Sequence, residues 1–272
     1  MQPIPAINLG ALEVSRFIIG GNPFSGFSHQ SKARSQEMLD WYTDARIVET
    51  LFQAEALGLN ACLCRGDDHI TGVLEQYWKE GGTMRWIAQT DSHAETSGAG
   101  ARYCVDHGAS ACYAHGGIVD HDVAQGNYDD IYDFVETLKD ARVPAGLAGH
   151  MPQDFVWAEE HVDVDFYMVC HYNPSPRQRV PHHDPAATEA YLEEDRQERV
   201  ATIQMLQKPV IHYKVLAAGR NDPAEAFAYT AGKMRPMDAV CVGIFTKDDP
   251  HMLEKDVGLF LGSLRAVGQY SG

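Results

Sequence analysis

The 272-residue chain is short of positive charge: 22 Lys and Arg face 38 Asp and Glu, a formal charge of −16. An acidic balance of this size repels nucleic-acid phosphates and anionic lipid, so no nucleic-acid or membrane partner is expected. No apolar run approaches the roughly 18–20 residues of a membrane-spanning helix. The opening MQPIPAINLGALEV lacks the basic region and apolar stretch of a signal peptide, and a soluble cytoplasmic protein is the expectation. CxxC pairs are missing too. The six cysteines, at 62, 64, 104, 112, 170 and 241, sit mostly in apolar, strand-like runs and read as small buried hydrophobes in a reducing compartment. P-loop, GxGxxG, GxSxG and HExxH motifs are absent, which removes the motif-based nucleotide, hydrolase and metalloprotease readings. No linker, low-complexity tract or composition break divides residues 1–272, so one domain is expected.

What the chain does have is 44% hydrophobic residues, enough for a sizeable core, and a repeating pattern. Short apolar, β-rich runs occupy 16–20, 59–65, 84–90, 109–115, 144–150, 165–171, 209–214 and 238–245. Each is nearly continuous in apolar character, as strands of a parallel sheet covered on both faces are. Amphipathic stretches lie between them, at 45–57, 131–141, 193–206 and 251–264 among others, with apolar residues at helical spacing. Eight strands each followed by a helix predict an α/β fold, a single (β/α)8 TIM barrel. Two strand-to-helix connections, 22–43 and 172–189, are long and rich in Pro, Gly, Ser, His and Arg. In a barrel they rise over the C-terminal mouth, where a lid or substrate wall belongs.

The order of several segments resembles the aldo-keto reductase superfamily over most of the chain. LGALEVSRFIIGGNPFSG is similar to that family's first strand, and residues 128–149 to its fourth helix and fifth strand. CHYNP at 170–174 resembles its sixth strand end, VIHYKVLAAG at 210–219 its seventh strand, and 242–257 its cofactor loop and helix. The resemblance implies a barrel and a nicotinamide cofactor, with Asp, Tyr, Lys and His delivering a proton. Most of that tetrad is missing. LCRGDDHIT after the second run has no Tyr before Tyr77, residues 86–101 contain no Lys, and only His115 falls where the family's His would be. Asp256 replaces the helix Asn near the adenosine and disfavours a 2′-phosphate. The resemblance therefore carries the fold and leaves the hydride mechanism unsupported.

Other chemistry stands at the strand ends. Four consecutive runs finish at or near His115, His150, His171 and His212. Neighbouring strand ends lie about 5 Å apart, so at least three of these imidazoles are expected in one pocket, holding a divalent metal ion or polarising a carbonyl oxygen. Asp67 and Asp68, in RGDDH, are the carboxylates nearest that mouth and are expected to move the proton; the alternative is a helix cap with a salt bridge to Arg65. Asp120 and His121 form a lesser pair. Lys214 closes the seventh run, where it is a catalytic candidate as a Schiff-base former or anion holder. Asn22, Arg65, Tyr172, Asn173, Arg177 and Tyr213 are the candidate substrate contacts, with Arg179 beside Arg177 as a second fork for a carboxylate or phosphate. The reading that follows is an enzyme acting on a small hydroxy-carbonyl or sugar-like substrate by metal- or His-assisted proton transfer (an isomerase, lyase or hydrolase). Its alternatives are an NAD(P)-dependent oxidoreductase of the aldo-keto reductase type with an altered proton donor, and a catalytically silent ligand-binding barrel.

Overall fold

All eight apolar runs become strands, preceded by a small hairpin that the pattern did not foretell. The computed structural model describes residues 3–90, 94–173 and 190–271. The hairpin pairs β1 (Ala6–Leu9) with β2 (Leu12–Ser15), and Gly10 supplies the left-handed turn residue between them at φ 57°. Then follow β3 (Phe17–Gly20), α1 (Lys32–Trp41), α2 (Asp44–Ala56), β4 (Ala61–Arg65), α3 (Asp68–Lys79) and β5 (Arg85–Gln89). Next come α4 (Ser97–Asp106), β6 (Ala111–Ala114), α5 (Gly116–Gln125), α6 (Asp129–Ala141), β7 (Ala145–Gly149) and α7 (Pro152–His161). The chain closes with β8 (Phe166–Cys170), α8 (Glu193–Met205), β9 (Val210–Tyr213), α9 (Pro223–Lys233), β10 (Ala239–Gly243) and α10 (Met252–Ala266). Strands β3 to β10 form a closed barrel in sequential order, and every pairing whose register is defined is parallel. No described helix is long and apolar enough to cross a membrane. All six cysteines are buried and free.

Helix α1 lies inside the 22–43 connection, which read as a loop. Its sequence, KARSQEMLDW, buries only Met38, so it has no apolar stripe to betray it. Ser31 starts it by accepting a hydrogen bond from Arg34 N.

The chain packs as two compact units. One comprises residues 1–7, 13–86 and 214–272, the other 8–12 and 87–213. Within the first, Phe17, Phe227 and Phe260 pack ring against ring with centroids 5.7–6.1 Å apart. Arg16, buried beside them in sequence, donates through Nε to Asp238 O at 2.8 Å and through Nη2 to Gln269 Oε1 at 2.8 Å. Within the second unit, β8 shows which way the sheet faces. Phe155 of α7 meets Tyr167 edge-on at 5.7 Å, so Tyr167, Val169 and the position beyond them face the helices. Phe166, Met168 and Cys170 therefore point into the barrel. Gly146, in register with Phe166, leaves the space its ring fills: a Cβ there would sit 2.4 Å from ring carbons.

Candidate functional site

Register decides which strand-end side chains meet. Gly149 pairs with Val169 and Cys170 with Tyr213, so His150, Cys170 and Tyr213 share the inward face while His171 and His212 share the opposite one. The rings confirm the division. Tyr213 Oη lies 3.3 Å from His150 Nε2, and His171 Nε2 lies 3.0 Å from His212 Nδ1. His115 caps α5, its Nδ1 accepting from Gly117 N at 3.2 Å. The expected ring of three or four imidazoles around one ion is thus not what the strands build. Among the described residues, no three His, Cys, Asp or Glu side chains converge as a ligand set. The slip is one of alternation. His150 and His171 both lie just past strand ends, but on pleats of opposite sense.

The inward pair is anchored from behind. Asp120 of α5 is completely buried and spends both oxygens on His150, accepting from the backbone N at 2.7 Å and from Nδ1 at 2.7 Å. A carboxylate only accepts, so Nδ1 carries the proton. In the neutral ring Nε2 is then the lone-pair nitrogen, and it faces the Tyr213 hydroxyl. His150 is only 3% exposed, whereas Tyr213 is partly open to solvent. The result is a line of three groups from the hydroxyl of half-buried Tyr213 to a dry carboxylate. Of the three, the sequence singled out His150 as a metal ligand, Tyr213 as a substrate contact and Asp120 only as a lesser partner of His121.

The other described candidates make the following contacts. Asp67 is the N-cap of α3: Oδ1 accepts from Ile70 N at 3.0 Å and Oδ2 from Arg65 Nε at 2.9 Å, which is the cap and salt bridge that competed with a catalytic role. Asp68 is the exposed first residue of that helix. The Arg65 guanidinium lies 4.9 Å from the Phe27 ring centroid. Asn22 is exposed, and its carbonyl accepts from Phe27 N. Tyr172 is buried with its ring 5.7 Å from that of Tyr191. Asn173 donates from its backbone N to Asp195 Oδ2 at 3.3 Å. Lys214 follows β9 in the left-handed region at φ 57°, and Ala217 and Ala218 do the same a turn later. Three non-glycine residues there within five positions mark a strained loop. Arg177 and Arg179, with most of the 172–189 connection, lie outside the described residues.

His171 and His212 are both fully buried. Burial first, then neighbouring His212 and Arg196, hold the His171 imidazole well below the ordinary histidine range, so it is neutral. A depressed folded value means that its contribution to stability is whole above the unfolded value of about 6.5 and is lost as pH falls below it. Denaturant unfolding between pH 6.5 and 5 should therefore show His171→Gln losing less stability than the wild type, by about 1 kcal/mol per pH unit. Parallel pH profiles for the two proteins would refute this.

The loop after β10, which the family resemblance marks for a dinucleotide, is already occupied by the chain itself. Tyr42, just past α1, donates to Ile244 O at 2.8 Å and accepts from Thr246 N at 3.2 Å. Trp41 Nε1 donates to Thr246 Oγ1 at 3.1 Å, Lys247 is paired with Glu37 at 2.6 Å, and Asp248 with Arg34. Thr246 and Lys247 are thus engaged within the chain, and Asp256 of α10 is a buried acid whose carboxyl burial pushes up to about 6. Titration with NADH or NADPH is expected to leave tryptophan fluorescence and the thermal midpoint unchanged, and saturable quenching at micromolar cofactor would contradict it.

No protein-family model matches the chain, and no curated protein does. Solved structures do. A candidate aldo-keto reductase from Pseudomonas aeruginosa aligns at TM-score 0.64 with 14% identity, covering 96% of this chain and 94% of that one. A truncated 3-deoxy-D-arabino-heptulosonate 7-phosphate synthase from Thermotoga maritima aligns at TM-score 0.56 with 12% identity over 98% and 93% of the two chains. Identities this low establish the fold alone: an aldo-keto-reductase-like (β/α)8 barrel.

Proposed function

We propose that the protein is an acid–base enzyme acting on a small hydroxy-carbonyl or sugar-like substrate, with Tyr213, His150 and Asp120 as its proton-transfer line. The observation that carries this reading is the fixed tautomer of His150, which turns a lone pair toward the hydroxyl of the half-buried Tyr213. In one direction the Tyr213 oxygen takes a proton from the substrate as its own proton passes to Nε2. The imidazolium so formed remains on the Asp120 carboxylate, which offsets its charge in a dry site. In the reverse direction the proton returns along the same line to a substrate oxygen or carbon. Such a shuttle serves isomerisation or elimination beside a carbonyl, and it needs neither the metal ion nor the dinucleotide considered above.

The test is exchange. Incubated in D2O with a panel of small 2-hydroxy aldehydes, ketones and free sugars, the wild-type protein should introduce deuterium next to the carbonyl of at least one, as read by proton NMR. Exchange that Tyr213→Phe leaves intact, or no exchange across the panel, would sink the reading.

A further inference from the structure

The proton line has a fourth member that the sequence reading did not single out. Asp154, in the first turn of α7, is 2% exposed, and its Oδ2 is reached by no N–H or O–H donor among the described residues. Asp120 of α5, the helix that packs against α7, is the acidic neighbour that acts on this carboxyl. Two carboxylates only repel, so one of the pair holds a proton. Asp120 already accepts through both oxygens from His150, which makes it the ionised member and Asp154 the donor.

We infer that Asp154 is a positioning residue, whose carboxyl bridges to Asp120 and fixes that carboxylate across the two N–H groups of His150. The charged and titratable groups acting on Asp154 are Asp120 of α5 and Arg199 of α8. Burial, reinforced by Asp120, raises its carboxyl to about 8; a hydrogen bond from Met151 N and the Arg199 charge pull the other way without prevailing. Arg199 is itself engaged, its Nη1 lying 2.5 Å from Glu198 Oε2. The neutral acid withdraws part of the Asp120 charge from His150, so the bridge sets how tightly His150 holds a second proton as well as where its ring points.

This inference rests on the proposed proton line for its meaning, but its test uses no substrate. Protein labelled with 13C-aspartate and 15N-histidine is compared as wild type, Asp154→Asn and Asp154→Ala. At pH 7, above the Asp256 titration, the wild type should show one protonated aspartate carboxyl that Asp154→Asn removes. His150 should keep its Nδ1–H tautomer in wild type and in Asp154→Asn, whose amide still donates. In Asp154→Ala the full Asp120 charge falls on His150, whose titration should rise by about one unit, a tenfold gain in proton affinity. A wild type with no protonated aspartate at pH 7 overturns the inference, and so does a folded Asp154→Ala with unchanged His150 signals. If Asp154→Ala fails to fold, the carboxyl measurement on the other two proteins decides alone. Failure of the deuterium-exchange screen would remove the function and leave these readouts standing.

Discussion

Tyr213→Phe is expected to lower turnover by about 10²–10⁴-fold, the range that loss of a positioned acid–base group produces, while the barrel remains folded. The substitution deletes one oxygen. Tyr213 is half-buried at the end of β9, and its contact with His150 Nε2 is long at 3.3 Å, so little packing is lost with its oxygen. Binding of substrate should change little, because the ring that lines the site is retained; the fall should appear in kcat rather than KM. Asp120→Asn should have an effect of similar size for a different reason. An amide can present its NH2 to Nδ1, which favours the tautomer with the proton on Nε2 and removes the lone pair facing Tyr213. A Tyr213→Phe protein with unchanged kcat would show that the hydroxyl is a bystander.

The barrel could be read from the chain because its strands are short, apolar on both faces and evenly interrupted, and all eight runs meet the observed strands within about three residues. The elements that escaped lack that pattern. α1 buries one apolar residue, and the strands of the β1–β2 hairpin are four residues long with charge or amide interleaved. The site was legible only in part. Strand ends rich in His were visible, but the direction of each side chain depends on register, and one residue of slip reverses it. His171 and His212 consequently pack toward the helices, on the face opposite to His150. Asp120 and Asp154 lay further out of reach. Each is an acid in a helix, the residue type most often solvated. The signal that existed was positional: Asp154 sits on the buried stripe with Phe155 and Ala158, and Asp120 beside buried Val119. A carboxylate inside an apolar stripe has to be paired or neutral, and only tertiary packing could say with what.

That neutrality gives the second large effect, on stability rather than rate. An aspartate in the unfolded chain titrates near 3.9, whereas Asp154 in the folded protein releases its proton only at about 8. A raised folded value contributes stability that is whole below about pH 4 and is lost as pH climbs through the folded value. Between those limits the folded state holds a proton that the unfolded chain has given up, so each unit of pH removes about 1.4 kcal/mol, to a ceiling of about 6 kcal/mol. Asp154→Asn does not titrate and keeps a donor toward Asp120. Its stability relative to the wild type should therefore rise steadily from pH 4.5 to pH 8 and then level off. His171 and Asp256 also tilt the profile, but they are common to both proteins and cancel in the difference. Urea unfolding of the pair at half-unit pH intervals measures that difference directly. A flat difference curve would mean that Asp154 is ionised in the folded protein, and the carboxyl bridge behind His150 would then have no proton to make it.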